Sequence, residues 1–356
     1  MAQFQNMKIV EVYKTTRDAV VLSLCAEHSC NFTQGQYLTF KKVIGGEELR
    51  RSYSICSGKT DEFIKVAVKR VKGGVFSNWA NSELRAGDVV QSMPPMGNFY
   101  SKPKEGNGHL LAFAGGSGIT PILSIIKTEL ENHTESQVTL VYSNRNINTV
   151  MFKEELEDLK NLHMSRLNLI HIFTDESQGT NLFRGRLNKQ KIKQLCRSWI
   201  DIRNMPLTFI CGPELMMAEV SDALIQQGMK KEFIRTEYFK NGGSIRTKQF
   251  RAKQTTTNNL DGSVRAKIIV DGEVHSFSSD KNVSLLQAAL QNDVDAPYAC
   301  RAGICSTCKA KMLKGEAEML SNNSLEDHEV ERGFVLTCQA YPRSDEVIFD
   351  YDQGYK

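Results

Sequence analysis

Three cysteines fall within nine residues of one another in PYACRAGICSTCKAKMLKG, as Cys300-x4-Cys305-x2-Cys308, and a fourth, Cys338, follows after 29 residues in VLTCQA. Thiolates are soft, charged donors that suit iron, and a close trio with one distant partner is the ligand spacing of plant-type [2Fe-2S] clusters. The small residues Ala302, Gly303 and Ser306 let backbone N–H groups approach the sulfurs. A structural zinc site is the competing reading, but zinc motifs usually pair two short knuckles, and Cys338 stands alone without a histidine partner. Of the five remaining cysteines, Cys25, Cys30, Cys56, Cys196 and Cys211, four read as small packing residues.

A one-electron centre needs a source of electrons, and the rest of the chain offers candidates. Arg51-Ser52-Tyr53-Ser54 is followed by VAVKR and then by Gly73-Gly74-Val75-Phe76-Ser77. Arg51 can neutralise a pyrophosphate, Tyr53 can stack on a ring system, and the glycine turn can offer N–H groups and a hydroxyl to phosphate. An edge ion pair beside a half-buried tyrosine explains the same residues. Further on, Gly115-Gly116-Ser117-Gly118-Ile119-Thr120-Pro121 follows an apolar strand and opens a helix, the context of a turn that presents N–H groups to a pyrophosphate, although it lacks the full G-x-G-x-x-G pattern. Ser143 and Arg145, at the end of the next strand, favour NADPH over NADH because an arginine there accommodates the extra phosphate. The plain alternative is a solvated loop charge.

The elements that must position these residues change in texture along the chain. Residues 1–106 run as short alternating segments (AVVLSL, QYLTF, FIKVAVKR, DVVQSM) between Gly, Asn and Asp turns, the pattern of an antiparallel barrel. Residues 107–240 alternate apolar strands (HLLAFAGG, QVTLVYSN, LNLIHIF, LTFICG) with helical stretches, which predicts a parallel sheet flanked by helices. Residues 241–262 are polar, basic and aperiodic, and read as a linker. Residues 263–356 form a third, α+β domain that opens with a hairpin turning at Asp271-Gly272 and a helix capped by Ser284.

At 356 residues, with 40% apolar and 24% charged residues, the chain can bury several cores without metal or disulfide. Its start reads as a strand rather than a signal peptide, and no apolar run approaches the ~20 residues of a spanning helix, so a cytoplasmic protein without membrane insertion is expected. From Arg265 onward ten basic residues face fifteen acidic ones, against 35 and 26 before it, so a basic body carries an acidic appendage. No basic stripe interleaved with aromatics is present to suggest a nucleic-acid partner.

The segments RRSYSIC, GGVFSNW, GGSGITPIL and CGPELMM, in that order and ahead of the cysteines, resemble the ferredoxin-NADP reductase superfamily in its architecture with a C-terminal [2Fe-2S] domain. The resemblance implies a Greek-key barrel that binds FAD through Arg51, Tyr53, Ser54, Val68, Lys69, Gly74, Val75, Ser77, Thr120 and Phe239. It implies NADPH, with NADH as the alternative, bound by Gly115, Gly116, Ser117, Gly118, Ser143, Arg145, Cys211, Gly212 and Pro213. Ser54, Thr120 and Cys211 are then the catalytic residues where hydride arrives, while Cys211 also reads as a buried packing residue and Phe239 as a strand-end one. The implied activity is an electron chain from NADPH through FAD to the cluster. Its outlet is a redox partner, namely the oxygenase component of an epoxidase-type multicomponent monooxygenase, a fatty-acid desaturase or a steroid hydroxylase. The chain carries neither H-E-x-x-H nor a paired Glu-x-x-His of its own for activating oxygen. Two other classes stay open: a redox-sensing module with a vestigial nicotinamide site, and a colourless zinc-binding interaction protein. A monomer is expected.

Overall fold

The computed structural model describes residues 4–26, 31–100, 109–176, 180–202, 207–239 and 263–354; the expected linker and Cys30 lie outside them. The chain divides at residue 239 into two compact units.

The first unit opens with six strands, β1 (Gln5–Thr16), β2 (Ala19–Ala26), β3 (Tyr37–Ile44), β4 (Glu47–Ser54), β5 (Ile64–Lys69) and β6 (Val89–Ser92), ordered β4-β3-β6-β1-β2-β5. All pairings are antiparallel, and a bridge from Ile55, just past β4, to Val66 of β5 joins the two ends of that order. Alternation is the reason for closure: Met7, Ile9, Leu22, Leu24, Leu38, Phe40, Val66 and Val68 point into one buried cluster. Helix α1 (Val75–Ser82) packs Phe76 and Ala80 into that cluster.

Five parallel strands follow: β7 (His109–Gly115), β8 (Gln137–Asn144), β9 (Leu167–Phe173), β10 (Leu207–Gly212) and β11 (Ile234–Tyr238), in the order β11-β10-β7-β8-β9. The sheet therefore reverses direction of growth between β7 and β10, which opens a crevice at their carboxyl ends. Helices α2 (Ile119–Asn132) and α3 (Lys153–Leu162) contribute to the core on one face, and α4 (Lys189–Ser198) and α5 (Glu214–Gln226) to that on the other. The first core also takes in Ala19, Val21, Cys56 and Ala67 of the barrel, and Phe99 meets Phe209 edge-on at 5.2 Å, so barrel and sheet share one apolar interior.

The second unit holds β12 (Ser263–Val270), β13 (Glu273–Asp280), β14 (Lys309–Lys314), β16 (Phe334–Leu336) and β18 (Glu346–Asp350) in the order β13-β12-β18-β14-β16, with β15 (Ala317–Met319) and β17 (Ala340–Pro342) as a separate pair. The β12–β13 hairpin turns at Asp271 and Gly272, both at positive φ, as the Asp-Gly pair predicts. Helix α6 (Leu285–Gln291) is capped by Ser284, whose hydroxyl accepts from the Gln287 N–H; the second helix is the short α7 (Asp327–Glu331). This unit has a core of its own.

Candidate functional site

At the switch point between β7 and β10 the two strand ends nearly touch. A Cβ on Gly118 would fall 2.1 Å from the Cys211 carbonyl oxygen, and one on Gly115 would fall 2.6 Å from the Pro213 ring. Gly116 adopts φ +53° and leaves a cradle where a Cβ would sit 3.4 Å from the Lys69 ammonium, which reaches over from β5 of the barrel. Tyr142 holds the turn from below by donating its hydroxyl to the Gly116 carbonyl at 3.0 Å. Burial and the neighbouring Arg145 both lower the Lys69 pKa, so two cations converge beside the turn. Ser143 pairs in register with Gly115, and Arg145 projects exposed just beyond it, its backbone fixed by the N–H of Asp175. Six of the nucleotide-site residues expected from sequence, Gly115, Gly116, Gly118, Cys211, Gly212 and Pro213, are thus in mutual contact or adjacent; Ser117 lies within the same turn and Ser143 and Arg145 at its rim.

Ser54 ends β4 and is buried. Its hydroxyl donates to Glu237 Oε2 at 3.0 Å across 183 residues of chain. Glu237 pairs with Cys211 in the β10–β11 ladder, so Ser54, Cys211 and Glu237 form one cluster where barrel and sheet meet. Burial pushes the Glu237 carboxyl up to about 8, with the Ser54 hydrogen bond opposing it, and burial followed by the Glu237 charge pushes the Cys211 thiol well up. Thr120 stands in the first turn of α2, two residues past Gly118, its hydroxyl donating to the Ser117 carbonyl at 3.0 Å. Phe239 follows β11 and packs partly buried against the shared core.

On the barrel, Tyr53 stacks on Phe76 at 5.6 Å, with Phe40 at 6.2 Å and Trp79 edge-on to Phe76 at 5.2 Å. Arg51 lies exposed two residues before Tyr53, on the same side of the strand. The glycine turn is the start of α1: Gly74 is its N-cap, no side chain caps it and no acid occupies its first turn, which leaves a helix terminus suited to an anion. Ser77 is buried, and its hydroxyl is taken up within the turn by the Val71 N–H and the Gly74 carbonyl. Val75 is exposed at the same terminus, whereas Val68 is buried in the barrel and its carbonyl accepts from Asn81.

The four C-terminal cysteines come together. Cys300 is in hydrogen-bonding contact with Cys305 and Cys338, and Cys338 also with Cys308. The Ala302 N–H donates to Cys300 Sγ at 3.3 Å. Contact with Cys305 first, and with Cys338 second, holds the Cys300 thiol far down, and the same contacts hold Cys305 and Cys338 up. Four cysteine sulfurs gathered around one loop are the donor set that a [2Fe-2S] cluster takes. Arg301 at φ +51° and Gly303 at φ +71° bend the loop around them; a side chain on Gly303 would meet the Ser321 carbonyl. Among the cations flanking the loop, Arg301 lies over Tyr298 at 4.3 Å, while Lys309 is drawn into a buried pair with Glu329 at 3.1 Å.

Comparison with known proteins agrees with this division. Residues 6–100 match the oxidoreductase FAD-binding domain family, 113–222 the oxidoreductase NAD-binding domain family, and 268–343 the 2Fe-2S iron-sulfur cluster binding domain family. The chain belongs to the ferredoxin-reductase-type oxidoreductases that bind FAD and a nicotinamide nucleotide and end in a [2Fe-2S] domain. It is 39% identical over 360 residues to a subunit of the 1,2-phenylacetyl-CoA epoxidase of Escherichia coli (strain K12), covering 99% of each chain. It is 32% identical to the ferredoxin reductase component of the 3-ketosteroid-9-alpha-monooxygenase of Mycolicibacterium smegmatis, covering 98% of this chain and 97% of that one. The solved phthalate dioxygenase reductase shares the fold at TM-score 0.59 and 23% identity, with 98% of both chains covered. The three-domain architecture expected from sequence is therefore the observed one.

Sequence reasoning missed Glu237 as a site residue. In the segment Glu237-Tyr238-Phe239 only the aromatic end carries a local signal, and nothing nearby in the chain marks an acid whose partner is 183 residues away. Lys69, expected at FAD, also reaches the nucleotide turn.

Proposed function

We propose that the protein is an NADPH-dependent reductase that delivers electrons through FAD and its [2Fe-2S] cluster to the oxygenase component of a phenylacetyl-CoA-epoxidase-type monooxygenase. The observation that carries the reading is the meeting of Ser54, Cys211 and Glu237 at the glycine cradle, within one unit that shares a single core. The partner class rests on the full-length likeness to a component of an epoxidase and, more distantly, to the reductase of a steroid monooxygenase.

When bound, FAD would supply the acceptor for hydride from a reduced nicotinamide, and a [2Fe-2S] cluster would supply a one-electron outlet. Arg51 and the start of α1 would hold the FAD pyrophosphate, and the Tyr53–Phe76 stack would carry a ring. Gly116, Gly118 and the Lys69 ammonium receive the nucleotide's pyrophosphate, and Arg145 pairs with the 2′-phosphate. Gly118 and Gly212 let the nicotinamide approach the carboxyl end of β10 beside Cys211. Near neutral pH Glu237 keeps its proton, one hydrogen bond from Ser54, and so places no fixed negative charge beside the position where hydride transfers. Cys300, Cys305, Cys308 and Cys338 would ligate the cluster, and the Ala302 N–H, donating to Cys300 Sγ, would favour the charged state of that sulfur.

Flavin absorption, a reduced [2Fe-2S] EPR signal and rapid bleaching by NADPH are expected of the purified protein; a colourless protein overturns the proposal. Arg145→Ala removes a charge-assisted contact worth about 1.5–3 kcal/mol, so KM for NADPH should rise roughly tenfold to a hundredfold while that for NADH stays put. Equal effects on both nucleotides would refute the 2′-phosphate role. Supplying the epoxidase oxygenase component should then support turnover, and turnover only with a steroid oxygenase would reassign the partner.

A further inference from the structure

Helix α2, which opens at the glycine turn, is fastened to the barrel along one stripe. Thr120, Ser124 and Lys127 follow one another at intervals of four and three residues and so share a face. Ser124 donates its hydroxyl to the Ser57 carbonyl at 2.7 Å, and both residues are fully buried. Ser57 is tied in turn to β5, since its own hydroxyl accepts from the Lys65 N–H at 3.0 Å. About one turn further along, Lys127 donates to Asp61 at 2.6 Å and to Glu155 at 2.9 Å. The backbone beneath is bare, because a Cβ on Gly58 would lie 3.1 Å from Lys127 Cβ.

The two fastenings differ in what they can specify. A buried ion pair has broad angular tolerance and contributes little net stability once desolvation is counted. The Ser124–Ser57 bond is short and neutral, and losing it strands a buried carbonyl. It also sits closer to the chemistry: Ser57 is three residues beyond Ser54 on the same strand extension, and Ser124 is one helical turn beyond Thr120.

We propose that Ser124 is a positioning residue for hydride transfer, its bond to Ser57 setting the register between the strand that carries Ser54 and the helix that carries Thr120. The proposal rests on the placement of the hydride-transfer site at Ser54, Thr120, Cys211 and Glu237. Ser124 touches neither cofactor; it acts through the two residues it holds in step.

Stopped-flow reduction of the holoprotein by NADPH, protiated and deuterated at the transferred position, separates this role from a merely structural one. Ser124→Ala is expected to slow hydride transfer about tenfold (roughly 1.4 kcal/mol) and to steepen the temperature dependence of the isotope effect, with FAD content and KM for NADPH within twofold. Ser124→Thr, which retains the hydroxyl, is expected to recover most of the rate. If Ser124→Ala loses FAD, Ser124→Cys replaces it: a weaker donor of similar shape should show a smaller loss with the same steepening. A wild-type rate per bound flavin together with a wild-type isotope effect, in Ser124→Ala or, where that variant loses FAD, in Ser124→Cys, overturns the proposal. A wild-type protein that fails to transfer hydride from either nucleotide refutes the placement of the site instead.

Discussion

Burial holds the proton on Glu237, and the hydrogen bond from Ser54 opposes it. The folded pKa of about 8 lies above the usual 4.5, so between those values the folded state holds a proton that the unfolded state has released. Stability is then highest below pH 4.5 as far as this residue is concerned, falls as pH rises, and levels off above pH 8. Glu237→Gln keeps a carbonyl for Ser54 and cannot ionise, so thermal unfolding between pH 5 and 9 should lose most of this slope, with the variant gaining on the wild type as pH rises. A slope identical in both proteins would place the titration elsewhere. The cysteines were legible at this scale because their chemistry is written in spacing along the chain. Glu237 was not, because its meaning depends on a strand end on the far side of the fold. Ser124 was equally silent, one serine in an apolar helix.

Elements were legible where a nearly unbroken apolar run matched burial on both faces. Strands β2, β7, β8 and β10 read directly from VVLSL, LLAFA, VTLVY and TFIC because both faces or one whole face is apolar. Helix α4 carries a weak apolar period for a physical reason: its buried stripe includes Lys191, whose ammonium is satisfied by the carbonyls of Asn181 and Leu182, so the periodicity shows a charge where the core is. Helix α1 hid inside a glycine turn that reads as a loop. The glycine turn after β7 lies against the end of β10 with no room for a side chain. Gly118→Ala places a methyl within 2.1 Å of a backbone oxygen, so a loss of several kcal/mol, or displacement of the turn with weakened nucleotide binding, is expected by calorimetry and titration.

At the scale of the molecule, two units with separate cores predict separable functions. Cys305→Ser should abolish electron delivery to one-electron acceptors while leaving flavin reduction by NADPH at the wild-type rate; loss of both would mean that the units do not act in series. Residues 1–239 expressed alone should fold, hold FAD and accept hydride, because among the described residues their cores are built from their own side chains. Composition and motif order revealed this division in the sequence; the sharing of one core by barrel and sheet did not show, since the residues that build it, Ala19 and Ala112 among them, look like ordinary strand interiors.

The aromatic stack on the barrel has an optical consequence. The chain holds two tryptophans, and Trp79 lies edge-on to the ring that stacks with Tyr53, whereas Trp199 sits half exposed at the end of α4. A Trp199→Phe variant leaves Trp79 as the sole indole emitter, so on the proposed placement of FAD at Tyr53 its fluorescence should dim as FAD is added and brighten as it leaves, an internal gauge of how many molecules in a preparation carry flavin.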